Sequence, residues 1–303
     1  VTTTEDEFLT EIAQHLLEAG GKRYRPLLAQ VAAELGSVTD DGPIEAGVAV
    51  ELVHVGSLYH DDVIDEAETR RGASAANSNW TNTVAILAGD FLLAKASEVA
   101  APLGEEAVTL LARTYATLCA GQVRELQLVD SVDHGLDAYF SVIGGKSASL
   151  IRTSARLGAL AAGADRRAVE AISEWAWEMG MVFQIADDAL DFVATEAFLG
   201  KPAGSDIQEG VFTYPLLDAL SGANGPELRS LLADGHPFPP ETVEKVIGIV
   251  RSGGHVDNAV DEARRRLEVA AAAVERLEAS RLGPVLRDLG DYLVERVELA
   301  RSG

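Results

Sequence analysis

The chain has 303 residues, a formal net charge of −23, 47% hydrophobic residues and only 6% aromatic ones. That length supplies a sizeable core, and the acidity repels phosphate backbones and anionic lipid surfaces at long range, which argues against nucleic acid as a partner. A single cysteine, Cys119, excludes an intramolecular disulfide, and no apolar run reaches the ~20 residues that span a bilayer, so a cytoplasmic location is expected.

Ala and Leu are abundant and both favour helix. The patterning predicts helices over 5–19, 25–36, 42–66, 80–101, 104–130, 134–145, 147–163, 166–194, 212–221, 225–233, 239–252, 255–279 and 281–301. Gly20-Gly21, Gly42-Pro43, Gly144-Gly145, Gly200-Lys201-Pro202, Pro239-Pro240 and Gly253-Gly254 punctuate them. No alternating strand series, β-hairpin, repeat or linker is evident. The expectation is an all-α, single-domain helix bundle over residues 1–303.

Charged motifs follow in chain order. Gly20-Gly21-Lys22-Arg23-Tyr24-Arg25-Pro26 sets basic side chains beside a helix start, where Arg forks, a Lys point charge and backbone N–H groups together suit phosphate. In the 42–66 helix, Asp61 and Asp65 lie one turn apart with Asp62 beside them, and His54 stands ~20° around from Asp61. Three crowded carboxylates repel one another, and their hard oxygens suit Mg²⁺. One such triplet also describes a solvated acidic face, but here apolar Leu52, Val53, Val55 and Leu58 precede it. Arg70-Arg71-Gly72 comes next. In the 166–194 helix, Ile172, Trp175, Ala176, Met179, Phe183, Ala186 and Leu190 form an apolar stripe, flanked by Gln184, Asp187, Asp188 and Asp191. This second triplet repeats the spacing of the first. Two acidic clusters of this kind can hold several Mg²⁺ ions and clamp a diphosphate.

The stretches GGKRYRP (20–26), ELVHVGSLYHDDVIDEAETRRG (51–72), GDFLLA (89–94), GGKSASL (144–150), FQIADDALDF (183–192) and LGKPAGSDIQEG (199–210) run through about two-thirds of the chain. In that order the sequence resembles the trans-prenyl diphosphate synthases, the polyprenyl synthetase family. The resemblance implies an isoprenoid-synthase-type helical fold around a central cavity, a homodimer, and Mg²⁺ held by Asp61, Asp62, Asp65, Asp187 and Asp191, with Asp188 in support. It implies that Arg70, Lys146, Ser147, Gln184 and Lys201 serve an allylic diphosphate. Lys22, Arg25, His54 and Arg71 would hold isopentenyl diphosphate. The sequence departs from the family pattern at three places: Ser74-Ala75 replaces a Pro-Thr or Pro-Ser pair, Ser147 replaces threonine, and Val211 replaces a common lysine, so no phosphate contact is assigned at 211.

The implied reaction is ionisation of the allylic diphosphate, head-to-tail condensation and proton loss. Short-chain members carry a bulky aromatic at one of the positions matching Gly56 and Ser57. Both are small here, so an open tunnel and a heptaprenyl to decaprenyl product are expected, with transient apolar membrane contact at release. The alternatives are a farnesyl or geranylgeranyl synthase, a class I terpene cyclase, a non-catalytic prenyl-diphosphate-binding regulatory subunit and an acidic metal buffer. The intact GGKRYRP segment and the second acidic motif argue against the cyclase, and two complete aspartate triplets argue against the regulatory subunit.

Overall fold

The computed structural model describes residues 1–37, 40–193, 203–277 and 282–302. Their architecture is all-α apart from one ribbon of two two-residue strands. Contacts divide the chain into two compact units: Val1–Ala116 with Thr153–Ser173, and Thr117–Arg152 with Glu174–Gly303. Among the described residues no helix is long and apolar enough to cross a membrane.

The first unit opens with α1 (Glu7–Glu18) and α2 (Tyr24–Ala33). Asp6 caps α1 by accepting the Leu9 N–H at 3.1 Å. Between these helices Gly20 and Gly21 take φ +103° and +128°, which side-chain-bearing residues rarely adopt. Next come α3 (Gly42–Ile64), the short α4 (Ala76–Asn79) and α5 (Asn82–Ala100). Helices α3 and α5 meet backbone to backbone: a Cβ on Gly56 would lie 3.1 Å from Gly89 O, and one on Gly89 would lie 3.0 Å from Gly56 O. Tyr59 is fully buried; its hydroxyl donates to Ile12 O and accepts from Leu16 N, tying α3 to α1.

Three long helices are shared between the units: α6 (Glu105–Leu128), α8 (Ser149–Ala161) and α9 (Arg166–Val193). The second unit adds α7 (Gly135–Ile143), α10 (Ser205–Gln208), α11 (Tyr214–Ser221), α12 (Gly225–Leu231), α13 (Pro240–Ser252), α14 (His255–Glu275) and α15 (Leu282–Ser302). Trp175, Met179, Leu150, Ile151 and Phe192 are among its buried core.

Three expectations need correction. A β-hairpin does exist: β1 (Thr69–Arg70) pairs antiparallel with β2 (Ala73–Ser74). Arg71 and Gly72 form its two-residue turn with φ 55° and 77°, the sign that twisted hairpins require at both turn residues. Strands this short leave no alternation to read. Gly144-Gly145 does not end a helix, because α7 passes into α8 through one π-helical turn, Gly144–Ala148. The glycines serve close packing: a Cβ on Gly145 would stand 3.1 Å from Thr117 O, and one on Gly144 would stand 3.1 Å from the Trp177 ring. Finally, Phe183 in the apolar stripe is 36% exposed, whereas its six companions are buried.

Glycine packing generates a paired prediction. A Cβ on Gly158 of α8 would fall 2.0 Å from Ala29 O of α2, while one on Gly248 of α13 would meet nothing within 4 Å. Gly158→Ala is expected to destabilise by about 1–3 kcal/mol. Gly248→Ala is expected to stabilise by about 0.5–1 kcal/mol, because alanine is the better helix former. Thermal unfolding of the two variants checks both signs.

Candidate active site

In the first unit the last turns of α3 carry His54, Ser57, Asp61 and Asp62, and Asp65 caps the helix end with its N–H on Asp61 O at 2.8 Å. Asp62 is fully buried. Arg70 Nε donates to its Oδ1 at 2.6 Å, and Asp62 Oδ2 has no protein hydrogen-bond partner. Burial pushes the Asp62 pKa up while Arg70 pulls it down. Asp61 is half-buried, and the Asp65 side chain is 50% exposed with Arg70 Nη2 at 4.0 Å.

The hairpin sends its two arginines to different partners. Arg70 turns to Asp62, while Arg71 donates to Leu16 O (3.2 Å) and Gly20 O (2.8 Å) and reaches His54 Nε2 at 3.3 Å. The glycine at 21 admits this, since a Cβ there would stand 3.0 Å from the Arg71 guanidinium. Arg23, the residue before α2, pairs with buried Glu51 at 2.5 Å and donates to Leu17 O. Arg25 Nε is buried without a hydrogen-bond partner, and burial lowers the Arg25 pKa to about 10. Burial, reinforced by Arg25, Arg71, Arg23 and Arg70, lowers the His54 pKa to about 2. His54 is therefore neutral, with the Arg71 guanidinium 3.3 Å from its Nε2. Lys22 is exposed on the loop before α2. Glu51 offsets part of the mutual repulsion of Arg23, Arg25 and Arg71, and a bound anion would offset more.

Of the two tunnel-wall candidates, Gly56 faces α5, with Gly89 O, Leu93 and Leu92 within 3.4 Å of where its Cβ would be. That makes it a helix-packing residue. Ser57 is buried and its Oγ donates to His54 O at 2.8 Å.

In the second unit, Lys146 and Ser147 sit in the π-helical turn, and Gln184, Asp187, Asp188 and Asp191 lie on α9. Lys146 Nζ donates to Glu125 Oε2 on α6 at 2.5 Å. Asp187 is exposed; Asp188 and Asp191 are buried. Asp188 accepts from Tyr139 (2.6 Å) and Gln184 Nε2 (2.7 Å), and Ser147 Oγ donates to Gln184 Oε1 (2.7 Å). Burial, with the charges of Asp206 and Asp187, pushes the Asp188 pKa well up, against the pull of its two donors. Asp191 accepts from Ser205 Oγ (3.0 Å) and Asp206 N (3.4 Å). Lys201 lies outside the described residues.

Sequence reasoning did not single out Tyr139, Glu125 or Ser205 as partners of these groups. Tyr139 stands seven residues before Lys146, in an apolar helix where one tyrosine reads as core.

The donor set at both acidic motifs is all carboxylate oxygen, the chemistry that Mg²⁺ selects. The partnerless buried Oδ2 of Asp62 fits such a cation. Among the described residues no three His, Cys, Asp or Glu side chains stand close enough together to enclose an ion by themselves.

Residues 6–250 match the family model described as polyprenyl synthetase. The chain is 41% identical over 259 residues to a nonaprenyl diphosphate synthase of Mycobacterium tuberculosis, covering 84% of this chain and 77% of that relative. Among solved structures it is similar to a decaprenyl diphosphate synthase from Rhodobacter capsulatus (TM-score 0.91, 31% identity, 98% of this chain and 92% of that chain). It is also similar to a geranylgeranyl pyrophosphate synthase from Corynebacterium glutamicum complexed with calcium and isoprenyl diphosphate (TM-score 0.85, 40% identity, 97% and 90%).

The depressed His54 pKa has a direct consequence for stability. Below the unfolded-state value of 6.5 the unfolded chain takes up a proton that folded His54, at about 2, refuses. Stability from this group is therefore complete above pH 6.5 and falls on acidification, by on the order of 1 kcal/mol per pH unit. Denaturant unfolding at pH 7.5, 6 and 5 should show wild type losing stability more steeply than His54→Gln.

Proposed function

The chain belongs to the polyprenyl synthetase family as a trans-prenyltransferase, and on that premise we propose that it elongates an allylic diphosphate with isopentenyl diphosphate to a heptaprenyl to decaprenyl product. The observation that carries the substrate reading is Arg71 at 3.3 Å from His54 Nε2 beside Arg25, whose Nε is buried without a hydrogen-bond partner, in a protein of net charge −23. A diphosphate suits these guanidinium groups, whose planar forks match phosphate oxygens.

Lys22, Arg25, His54 and Arg71 hold the isopentenyl diphosphate in this reading. Neutral His54 contributes a hydrogen-bonding ring without adding to the cationic repulsion. Arg70, Lys146, Ser147, Gln184 and Lys201 serve the allylic diphosphate. Arg70 and Lys146 pair with Asp62 and Glu125, and phosphate oxygens would compete with those carboxylates. Asp61, Asp62, Asp65, Asp187 and Asp191 would hold Mg²⁺, which neutralises the departing diphosphate. The fixed cations stabilise negative charge as the allylic C–O bond breaks. The isopentenyl π bond then attacks the allylic carbon, and the proton released from the adjacent carbon passes to the free diphosphate. Holding the two substrates in register supplies much of the rate.

One family model spans both units, and each division between them falls inside a helix, which supports reading 1–303 as one catalytic domain. We read the enzyme as a homodimer; exposed Ile86 (42%) and Leu87 (59%) on α5 offer apolar surface for a second copy. We read the site of action as cytoplasmic, with membrane contact only at product release, since a net charge of −23 argues against electrostatic anchoring and the product is apolar.

The likeness to a geranylgeranyl synthase favours a second reading, termination at that shorter product. With Mg²⁺, isopentenyl diphosphate and a farnesyl primer, Asp61→Ala and Asp187→Ala are each expected to slow condensation by on the order of 10²–10³-fold. Retained activity in both would contradict the metal roles. Ser57→Phe is expected to shorten the product, while Gly56→Phe, driven into α5, should lower the melting temperature. An unchanged product from Ser57→Phe would sink the wall assignment.

A further inference from the structure

The second unit contains a closed polar ring whose members are not all accounted for by the site. Tyr139 Oη on α7 donates to Asp188 Oδ2 at 2.6 Å. Gln184 Nε2, one turn earlier on α9, donates to Asp188 Oδ1 at 2.7 Å. Ser147 Oγ donates to Gln184 Oε1 at 2.7 Å, which leaves the Gln184 amide N–H₂ facing Asp188. The backbone from 139 to 147 closes the ring, and it includes the π-helical turn Gly144–Ala148 with Lys146 at its centre.

A π turn is rare and needs surroundings that hold it. Here Gly145 lies against Gly121 and Thr117 on one side, and the hydrogen-bonded ring ties the turn to α9 on the other. Two of its three donors, Tyr139 Oη and Gln184 Nε2, point at one carboxylate, and the third, Ser147 Oγ, orients Gln184, so Asp188 is the anchor. Tyr139 is itself confined: its ring stands 5.5 Å from Phe140 and 6.1 Å from Tyr214, and the Arg266 guanidinium lies 4.6 Å over Phe140. Removing only the hydroxyl therefore leaves the packing in place.

We propose that Tyr139 is a positioning residue: by holding Asp188 it fixes, through Gln184 and Ser147, the register between the turn that carries Lys146 and the acidic motif that carries Asp187. This rests on the prenyltransferase reading of that motif. Tyr139 touches neither substrate nor metal in this account. It acts on the cation and allylic-diphosphate side of the reaction and leaves the Arg25–His54–Arg71 cluster alone.

The test compares Tyr139→Phe with wild type as full-length chains. Thermal shift is read while Mg²⁺ is titrated in the presence of inorganic diphosphate, a readout that needs no turnover. The variant is expected to keep the unliganded melting temperature within a few degrees and to need about tenfold more Mg²⁺ for half the shift, the usual size of an outer-shell effect. In turnover, KM for the allylic substrate should rise by a similar factor while KM for isopentenyl diphosphate stays within twofold. Placed in an Asp188→Asn background, Tyr139→Phe should add less than twofold to the Mg²⁺ midpoint. An unchanged midpoint, an equal rise in both KM values, or the full effect persisting in the Asp188→Asn background would each overturn the proposal. A wild type that shifts with Mg²⁺ and diphosphate yet condenses no primer would overturn the prenyltransferase reading alone, with the midpoint comparison still deciding the role of Tyr139. A wild type with no Mg²⁺-dependent shift would overturn both.

Discussion

Charge that must be held close to like charge is the constraint on which this structure turns. Asp62 and Asp188 are removed from water, and each is kept in place by donors aimed at it, Arg70 for one and Tyr139 with Gln184 for the other. Arg23 meets Glu51, and Lys146 meets Glu125. Buried charge left without such partners costs several kcal/mol. The pairs keep the cations and acids in position, yet each is a contact that a phosphate oxygen or a divalent cation can take over. Arg25, with its Nε buried and without a hydrogen-bond partner, and His54, held neutral by burial and then by its arginine neighbours, show where compensation is incomplete.

Small residues make that placement possible. Gly56 and Gly89 let α3 and α5 touch along their backbones, Gly21 makes room for Arg71, and Gly144-Gly145 lets the π turn lie against Thr117 and Trp177. In each case a methyl group would push a charged side chain or its helix out of register. Packing and chemistry are therefore the same problem at these positions, because the glycines that close the core also set the reach of the arginines and of Lys146.

Much of this was legible in the sequence. Helix periodicity located the long elements, since a 3.6-residue apolar repeat sustained over several turns has few alternative explanations. The aspartate spacing placed Asp61, Asp62 and Asp65 at the end of one helix, and Asp187, Asp188 and Asp191 on another. What escaped was short or tertiary. The 69–74 hairpin is too brief to alternate, and its Arg71-Gly72 turn lacks the Asn-Gly or Asp-Gly signature. The Gly144-Gly145 pair reads as a break because local propensity carries no information about the neighbours that require it. Nor does spacing separate exposed Asp187 from buried Asp188: the two adjoin in sequence, and the hydroxyl that Asp188 accepts from comes from Tyr139 on a different helix.

The most direct measurement is the mass of the products formed by the wild-type chain from Mg²⁺, isopentenyl diphosphate and a series of allylic primers. The account predicts a ladder of linear prenyl diphosphates ending in the heptaprenyl to decaprenyl range and abolished by a chelator. Accumulation at farnesyl or geranylgeranyl diphosphate would keep the chemistry and contradict the open tunnel at Ser57. Binding of diphosphates without any condensation would contradict the account at its centre and point to a regulatory subunit.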